Sequence, residues 1–151
     1  MSKRKTNILT SSYEEISASP RDPETTSRQL DLSGVQLGAR IEELGPGATS
    51  SYHHYHTAEE EHVLVLSGVA TLRLGDEALE LVEGDHIWFP AGEEVAHHLK
   101  NTSTEPLKYL VFGERKRDDV VFYPKGSVML VKSSTGYHQY DYSPRVKSDT
   151  D

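Results

Sequence analysis

The sequence predicts an all-β protein built from many short strands. Between residues 30 and 132, apolar residues recur with a period near two, and Gly or Pro turn signals separate the runs at roughly 8–12-residue intervals. No window of about 11 residues in this region shows the apolar stripe of an amphipathic helix. Short strands at this spacing are typical of a β-sandwich or β-barrel. The length of 151 residues corresponds to one domain.

The strands can be followed in chain order. Residues 35–44 carry apolar residues near every second position, which predicts a half-buried strand. Residues 63–66 are all apolar, as in a strand buried on both faces. Residues 69–74 alternate again, and Gly75 and Asp76 supply the next turn. The later strands are predicted over residues 78–82, 86–89, 95–99, 107–112, 120–123 and 128–131.

The two ends of the chain are polar. Residues 1–29 contain only six apolar residues and form a predicted N-terminal arm, while residues 133–151 form a predicted C-terminal tail. Such segments bury too little apolar surface to offset their ordering entropy alone. We therefore expect flexible arms on either side of a β-domain at residues 30–132. The tail carries three tyrosines that could fix part of it in place: Tyr137, Tyr140 and Tyr142.

Composition excludes several classes of function. The balance of 16 basic and 24 acidic residues gives a net charge of −8, which argues against nucleic acid as a partner. The absence of cysteine excludes disulfides, zinc–thiolate sites and cysteine nucleophiles. No apolar run approaches the roughly 18 residues of a membrane span, and no apolar signal segment follows the basic start. We expect a cytoplasmic protein without a membrane partner.

Histidines carry the chemistry of this sequence. Four of the eight lie within ten residues, at positions 53, 54, 56 and 62, beside Glu59, Glu60 and Glu61. Side chains at i and i+2 of a strand share a face, so His54 and His56 point the same way. The following strand can return one of the glutamates to the same ion, but the odd–even count does not say which. A His–His–carboxylate set suits iron, manganese, zinc or nickel, and a surface strand rich in His and Glu is the alternative.

One segment of the sequence has a glycine, then His-x-His, a glutamate and a second glycine. These residues are Gly47, His54, His56, Glu61 and Gly68. Their order resembles the first of the two motifs of the cupin superfamily. The interval from Gly47 to His54 is one residue longer than the common form.

The second motif resembles Gly, five residues, Pro-x-Gly, a histidine and an asparagine. The corresponding residues are Gly84, Pro90, Gly92, His97 and Asn101. Four residues separate Gly92 from His97 instead of the usual two, as in a subgroup of small cupins. The neighbouring His98 competes with His97, but only His97 has Asn101 four residues further on.

The resemblance implies a double-stranded β-helix barrel of the jelly-roll type. It also implies a divalent transition metal inside the barrel, held by His54, His56, Glu61 and His97. The fourth ligand, His97, follows from the family motif alone. Glu61 is also the candidate catalytic residue, since it could release the metal and act as a base.

The resemblance leaves the reaction open, since cupins include dioxygenases, decarboxylases, isomerases and lyases. We expect a metal-dependent enzyme acting on a small polar organic molecule, and place dioxygenase chemistry before isomerase or decarboxylase chemistry. One alternative is a non-catalytic barrel in which the metal anchors a small ligand. Another is a purely structural barrel, for which replacing His54 and His56 would leave metal content unchanged.

We expect a homodimer, because the exposed sheet edges of a small barrel are commonly covered by a second subunit. Static light scattering should therefore give twice the mass of one chain. A monomeric mass that stays the same after removal of residues 1–29 would contradict this expectation.

Overall fold

A computed structural model describes residues 5–16 and 25–143. These residues form thirteen strands and one short 3-10 helix, Pro124–Gly126, and include no α-helix. The strands are β1 (Glu14–Ile16), β2 (Ser27–Asp31), β3 (Leu37–Leu44), β4 (Tyr55–His56), β5 (Glu61–Ser67), β6 (Val69–Leu74), β7 (Glu77–Val82), β8 (His86–Phe89), β9 (His97–Lys100), β10 (Leu107–Glu114), β11 (Val120–Tyr123), β12 (Val128–Ser133) and β13 (Gly136–Asp141).

The strands form three antiparallel sheets that make up a jelly-roll barrel. One sheet has six strands in the order β1-β2-β3-β10-β5-β8, so its central strand β10 is remote in sequence from both neighbours. The second sheet has the order β13-β12-β11-β4, and the third has the order β7-β6-β9. An isolated antiparallel bridge between His54 and His97 joins the second sheet to the third. The barrel wall is therefore continuous at this point.

The core lies between the sheets and is mostly aliphatic. Inward-facing residues of β5 and β10 alternate with less buried ones, as a strand with one face in the core requires. The most buried apolar side chains are Leu44, Val65, Ala70, Leu72, Leu107 and Tyr109. Burial of these side chains contributes about 1.5–3 kcal/mol for each large one.

The predicted strands are present, and the sequence missed three others. Residues 69–74, 86–89 and 120–123 are strands with the predicted bounds, and the other predicted strands differ only at their ends. The missed strands are β1, β2 and β13, which are short or largely polar, whereas β4 falls in the strand expected at His54 and His56. Most side chains of the missed strands are exposed and give no period-two signal, and pairing with a neighbouring strand fixes these strands in place.

Ordered structure extends into both predicted arms. At the N-terminal end, β1 pairs with β2, and β2 pairs with β3. At the C-terminal end, β13 pairs with β12 along its full length. Tyr142 packs edge-on against Phe122 with ring centroids 5.0 Å apart, and Tyr137 lines the central cavity. Residues 1–4, 17–24 and 144–151 of the predicted arms lie outside the described residues.

Within the described ranges, no helix is long and apolar enough to cross a lipid bilayer.

Gly113 marks the closest approach of two strands beside the central cavity. A Cβ atom on Gly113 of β10 would lie 2.1 Å from the carbonyl oxygen of Glu60 and 3.2 Å from the Cα of Glu61. Gly113 is paired with Glu61 in the β10–β5 ladder, so any side chain here displaces the start of β5.

We expect Gly113→Ala to lower the free energy of unfolding by about 1–3 kcal/mol, because the added methyl group overpacks the strand pair. Urea denaturation measures this change. Gly45→Ala is the matched control, since nothing lies within 4 Å of the position that a Cβ atom would take there, and it should change stability by less than about 0.5 kcal/mol. Equal effects of the two substitutions would contradict the steric explanation.

Candidate metal centre

His54 and His56 flank Tyr55 at strand β4 and point to the same side of the chain. Their ring centroids lie 5.2 Å apart. The Nδ1–H of His54 donates to the carbonyl oxygen of Tyr52 at 2.7 Å, which directs Nε2 away from the backbone. His54 is 8% exposed, and burial lowers its pKa to about 4. The imidazole of His54 is therefore neutral near pH 7, the form that binds a metal.

His56 is held by a buried carboxylate that sequence reasoning missed. Its Nδ1 donates to Oδ2 of Asp119 at 2.7 Å, and Asp119 is 0% exposed. The other oxygen, Oδ1, accepts the backbone N–H groups of Ala58 and Glu59 at 3.0 and 3.2 Å. Asp119 thus fixes both the ring of His56 and the loop before β5. A carboxylate behind a ligating histidine is a common way to orient the imidazole.

The pair also sets the protonation of both partners. Burial alone lowers the pKa of His56, but the hydrogen bond to Asp119 and nearby carboxylates raise it above its ordinary value. Burial alone raises the pKa of Asp119, but the hydrogen bond from His56 and those from the backbone lower it. Asp119 is therefore ionised at neutral pH, and its charge makes the imidazole of His56 a better electron donor.

Glu61 and His97 bring the third and fourth donors to the same place. Glu61 begins β5 and His97 begins β9, and Oε1 of Glu61 lies 3.4 Å from Nε2 of His97. The two atoms are within the distance of an ion pair, but they do not have the geometry of a hydrogen bond. Burial alone raises the pKa of Glu61, but His97 and the neighbouring His54 and His56 lower it to about 2. Glu61 is therefore a carboxylate at neutral pH.

His97 is buried without a conventional partner. It is 3% exposed, and its ring stacks on Phe89 with centroids 3.6 Å apart. Among the described residues, neither Nδ1 nor Nε2 of this ring has a hydrogen-bond partner. A buried polar atom left in this state costs about 1–3 kcal/mol. A metal ion next to Nε2 would remove this cost at that atom, so the ring fits the role of a ligand.

The structure brings together all four side chains that the sequence motifs selected. One donor atom from each of His54, His56 and Glu61 lies within 4.8 Å of the others. The rings of His54 and His97 have centroids 4.9 Å apart, next to the backbone bridge that joins these two residues. All four side chains line one cavity of about 380 Å³. The set of three imidazoles and one carboxylate has the chemistry that divalent transition metals bind.

The competing glutamates serve other contacts. Glu59 pairs with Lys132 and accepts the backbone N–H of Lys116 at 2.7 Å. Glu60 accepts hydrogen bonds from His62 at 2.9 Å and from Trp88 at 3.1 Å. Donor atoms of His56, Glu59 and Asp119 also lie within 4.8 Å of one another. Both oxygens of Asp119 already accept hydrogen bonds, however, so this second set is better described as support for the first.

The other histidines of the cluster form pairs away from these donors. His53 and His98 approach at 3.1 Å between their Nδ1 atoms, and burial and His53 lower the pKa of His98 to about 4. His62 lies 3.0 Å from His86 through Nδ1 and Nε2, and stacks on Phe112. His98 also reaches the cavity wall.

Several cavity residues had no signal in the sequence. Tyr123 stacks against His54 with centroids 5.6 Å apart, and burial raises its pKa to about 12, so its hydroxyl remains protonated. Arg40, Lys132 and Tyr137 also line the cavity. Arg40 comes from β3 and the others from β11, β12 and β13, and no spacing rule relates these residues to the histidines.

Comparison with known proteins identifies the family. Residues 40–113 match the model of the cupin domain family. Together with the barrel, this match shows that the chain carries a small cupin domain and belongs to the cupin superfamily. The predicted jelly-roll fold and family are therefore confirmed.

Two solved structures resemble nearly the whole chain. A cupin-superfamily sugar phosphate isomerase from Silicibacter pomeroyi is 26% identical, with a TM-score of 0.80 over 95% of this chain and 97% of that one. A protein from Acidithiobacillus ferrooxidans, provisionally named a sugar phosphate isomerase, is 29% identical, with a TM-score of 0.83 over 94% and 93% of the two chains.

A segment of the chain also resembles a longer protein. Over 81 residues it is 44% identical to the xanthan biosynthesis protein XanB of Xanthomonas campestris. The segment is 50% of this chain but only 16% of the length of XanB.

We expect Asp119→Asn to lower the pKa of His56, because the amide removes the negative charge that favours the imidazolium and leaves the effect of burial. NMR titration of the His56 ring in chelator-treated protein measures this pKa. Asp118→Asn is the matched control, since Asp118 is exposed and adjacent, and it should leave the titration unchanged. An unchanged pKa in Asp119→Asn would show that the 2.7 Å contact does not control His56.

Proposed function

We propose that this cupin is a metal-dependent enzyme that isomerises a small phosphorylated sugar. The observation that carries the proposal is the convergence of His54, His56, Glu61 and His97 in one cavity, with both ring nitrogens of the buried His97 lacking a hydrogen-bond partner among the described residues. Two structures that resemble nearly the whole chain, one named a sugar phosphate isomerase and the other provisionally so named, support the choice of reaction.

The four side chains would hold one divalent ion. Imidazole and carboxylate ligands, without thiolates, accept iron, manganese, zinc or nickel, and the ion in the cell depends on supply. Four protein ligands leave one or two positions for a substrate oxygen. A bound ion would supply Lewis-acid polarisation of a substrate carbonyl or hydroxyl group.

The protein would contribute orientation and exclusion of water. Tyr52 and Asp119 fix the rings of His54 and His56 through their Nδ1 atoms, which leaves both Nε2 atoms for the cavity. The protonated hydroxyl of Tyr123 is a hydrogen-bond donor for a sugar hydroxyl or carbonyl oxygen. Apolar side chains, among them Val63 and Val111, line the same cavity and limit the space for water.

Glu61 has two candidate roles, as a ligand and as the base that moves a proton between neighbouring carbons. Its pKa of about 2 makes it a weak base while the imidazoles surround it. We therefore propose the ligand role first, and the base role only for a state in which the carboxylate has moved away from His97.

We expect the purified protein to contain about one transition-metal ion per chain. His54→Ala and His56→Ala should each reduce this content to a small fraction, because a ligand is lost from the set. Elemental analysis by mass spectrometry measures the content. His138→Ala is the control, since His138 lies on the exposed strand β13, where its ring pairs with the hydroxyl groups of Ser133 and Thr135. Equal metal content in all four proteins would overturn the metal centre.

Incubation of the protein with aldose and ketose phosphates in D2O should interconvert them and incorporate solvent deuterium at the reacting carbon, as followed by NMR. Glu61→Gln separates the two roles of Glu61. If Glu61 is only a ligand, excess metal should restore most of the activity of Glu61→Gln. If Glu61 is the base, the kcat of this variant should stay at least about 100-fold below that of the wild-type protein.

Oxygen uptake without isomerisation would replace this proposal by a dioxygenase, and saturable binding without turnover would indicate a binding module.

A further inference from the structure

Arg40 places a guanidinium in the cavity of the metal centre. It lies on β3 of the six-stranded sheet. Its side chain lines the same cavity as His54 and Glu61. The side chain is 46% exposed, so it is open to a small molecule that enters this space. An arginine in a cavity is suited to an anion, because it remains charged at every physiological pH.

A buried carboxylate holds Arg40 from behind. Glu42 is 1% exposed and accepts hydrogen bonds from Nε of Arg40, from the hydroxyl of Tyr109 and, at 3.2 Å, from Nε2 of Gln29. Burial alone lowers the pKa of Arg40, but Glu42 raises it above its ordinary value. Glu42 thus holds the guanidinium in one orientation.

Arg40 has hydrogen-bond donors left for a molecule in the cavity. A guanidinium carries five N–H donors, of which one belongs to Nε and four belong to the two Nη atoms. Among the described residues, the hydrogen bond of Arg40 to Glu42 uses Nε, which leaves the Nη pair for a ligand. Two adjacent N–H groups match two oxygens of a phosphate group.

The other cations of the cavity are engaged differently. Lys132 is paired with Glu59 through Nζ, the one nitrogen of its side chain, so no second nitrogen remains for a ligand. Arg115 donates through Nη1 to the carbonyl oxygen of Gly34 at 3.2 Å. Arg40 combines a fixed orientation with an unused pair of donors.

We propose that Arg40 is the residue that binds the phosphate group of the substrate, with Glu42 as its positioning residue. This inference rests on the proposed function, and it names the phosphate as the part of the substrate that the cavity recognises by charge. The sugar would then span the space between Arg40 and the four metal-binding side chains. A cavity of about 380 Å³ is of a size that accommodates a small ligand.

Calorimetric titration of the purified protein at fixed ionic strength tests the proposal. The four ligands are inorganic phosphate, glucose 6-phosphate, glucose and malonate. We expect both phosphates to bind, with glucose and malonate at least about tenfold weaker. Arg40→Met should weaken phosphate binding at least about tenfold and leave metal content unchanged. Arg73→Met is the control, since Arg73 is exposed on β6 and does not line the cavity, and this variant should bind phosphate as the wild-type protein does.

Removal of Arg40 leaves Glu42 buried without its cationic partner and can unfold the barrel. The double variant Arg40→Met with Glu42→Gln removes both charges and tests phosphate binding in a neutral pair. Together with Glu42→Gln alone, it completes a double-mutant cycle. Arg40→Met lowers phosphate affinity by one factor in the wild-type protein and by another factor in the Glu42→Gln background. We expect the second factor to be at least about threefold smaller, because the guanidinium is no longer held in place without the Glu42 carboxylate.

Unchanged phosphate affinity in folded Arg40 variants, or tighter binding of malonate than of phosphate, would overturn the proposal. An identical effect of Arg40→Met in both backgrounds would overturn the positioning role of Glu42. Metal content is measured on the same samples. A protein that binds phosphate through Arg40 but holds no metal would refute the proposed function alone.

Discussion

The antiparallel bridge between His54 and His97 is the contact on which the site depends. The two backbones exchange hydrogen bonds of 3.2 and 2.8 Å at this point. Within the part of the chain that the structure describes, the two sheets it joins share no other named strand pairing, and it lies at two of the four donor side chains. The distance between those imidazoles is therefore set by backbone geometry, which is far stiffer than side-chain packing alone. Glu61 at the start of β5 and His56 at the end of β4 complete the set of donors in the same cavity.

A polar interior of this kind is stable only if each charge has a partner. Asp119 has His56 and two backbone N–H groups, and Glu42 has Arg40, Tyr109 and Gln29. Removal of one partner leaves a buried charge, which costs more than the pair itself contributes. Two carboxylates behind the cavity wall therefore fix the side chains that line it. His97 is the exception, because its ring has burial and stacking but no hydrogen bond among the described residues.

The same arrangement gives the cavity two chemically distinct groups of side chains. One group has three imidazoles and a carboxylate, which suit a divalent cation, and the other is the guanidinium of Arg40. A metal ion attracts neutral oxygen atoms as well as anions, whereas a fixed guanidinium favours a planar pair of anionic oxygens. A molecule with a charged group at one end and hydroxyl or carbonyl oxygens at the other is complementary to both.

The sequence by itself determined the all-β class, most of the strands and the pairing of His54 with His56. Period-two alternation and the i, i+2 rule are local, so they are visible in any window of a few residues. Resemblance to the cupin motifs added Glu61 and His97, which spacing alone did not select. Only the tertiary structure decided that Asp119 supports His56 and that Arg40 shares the cavity. These contacts join residues 63 positions apart or strands on different sheets, and the register between such strands is set by the packing of the whole barrel.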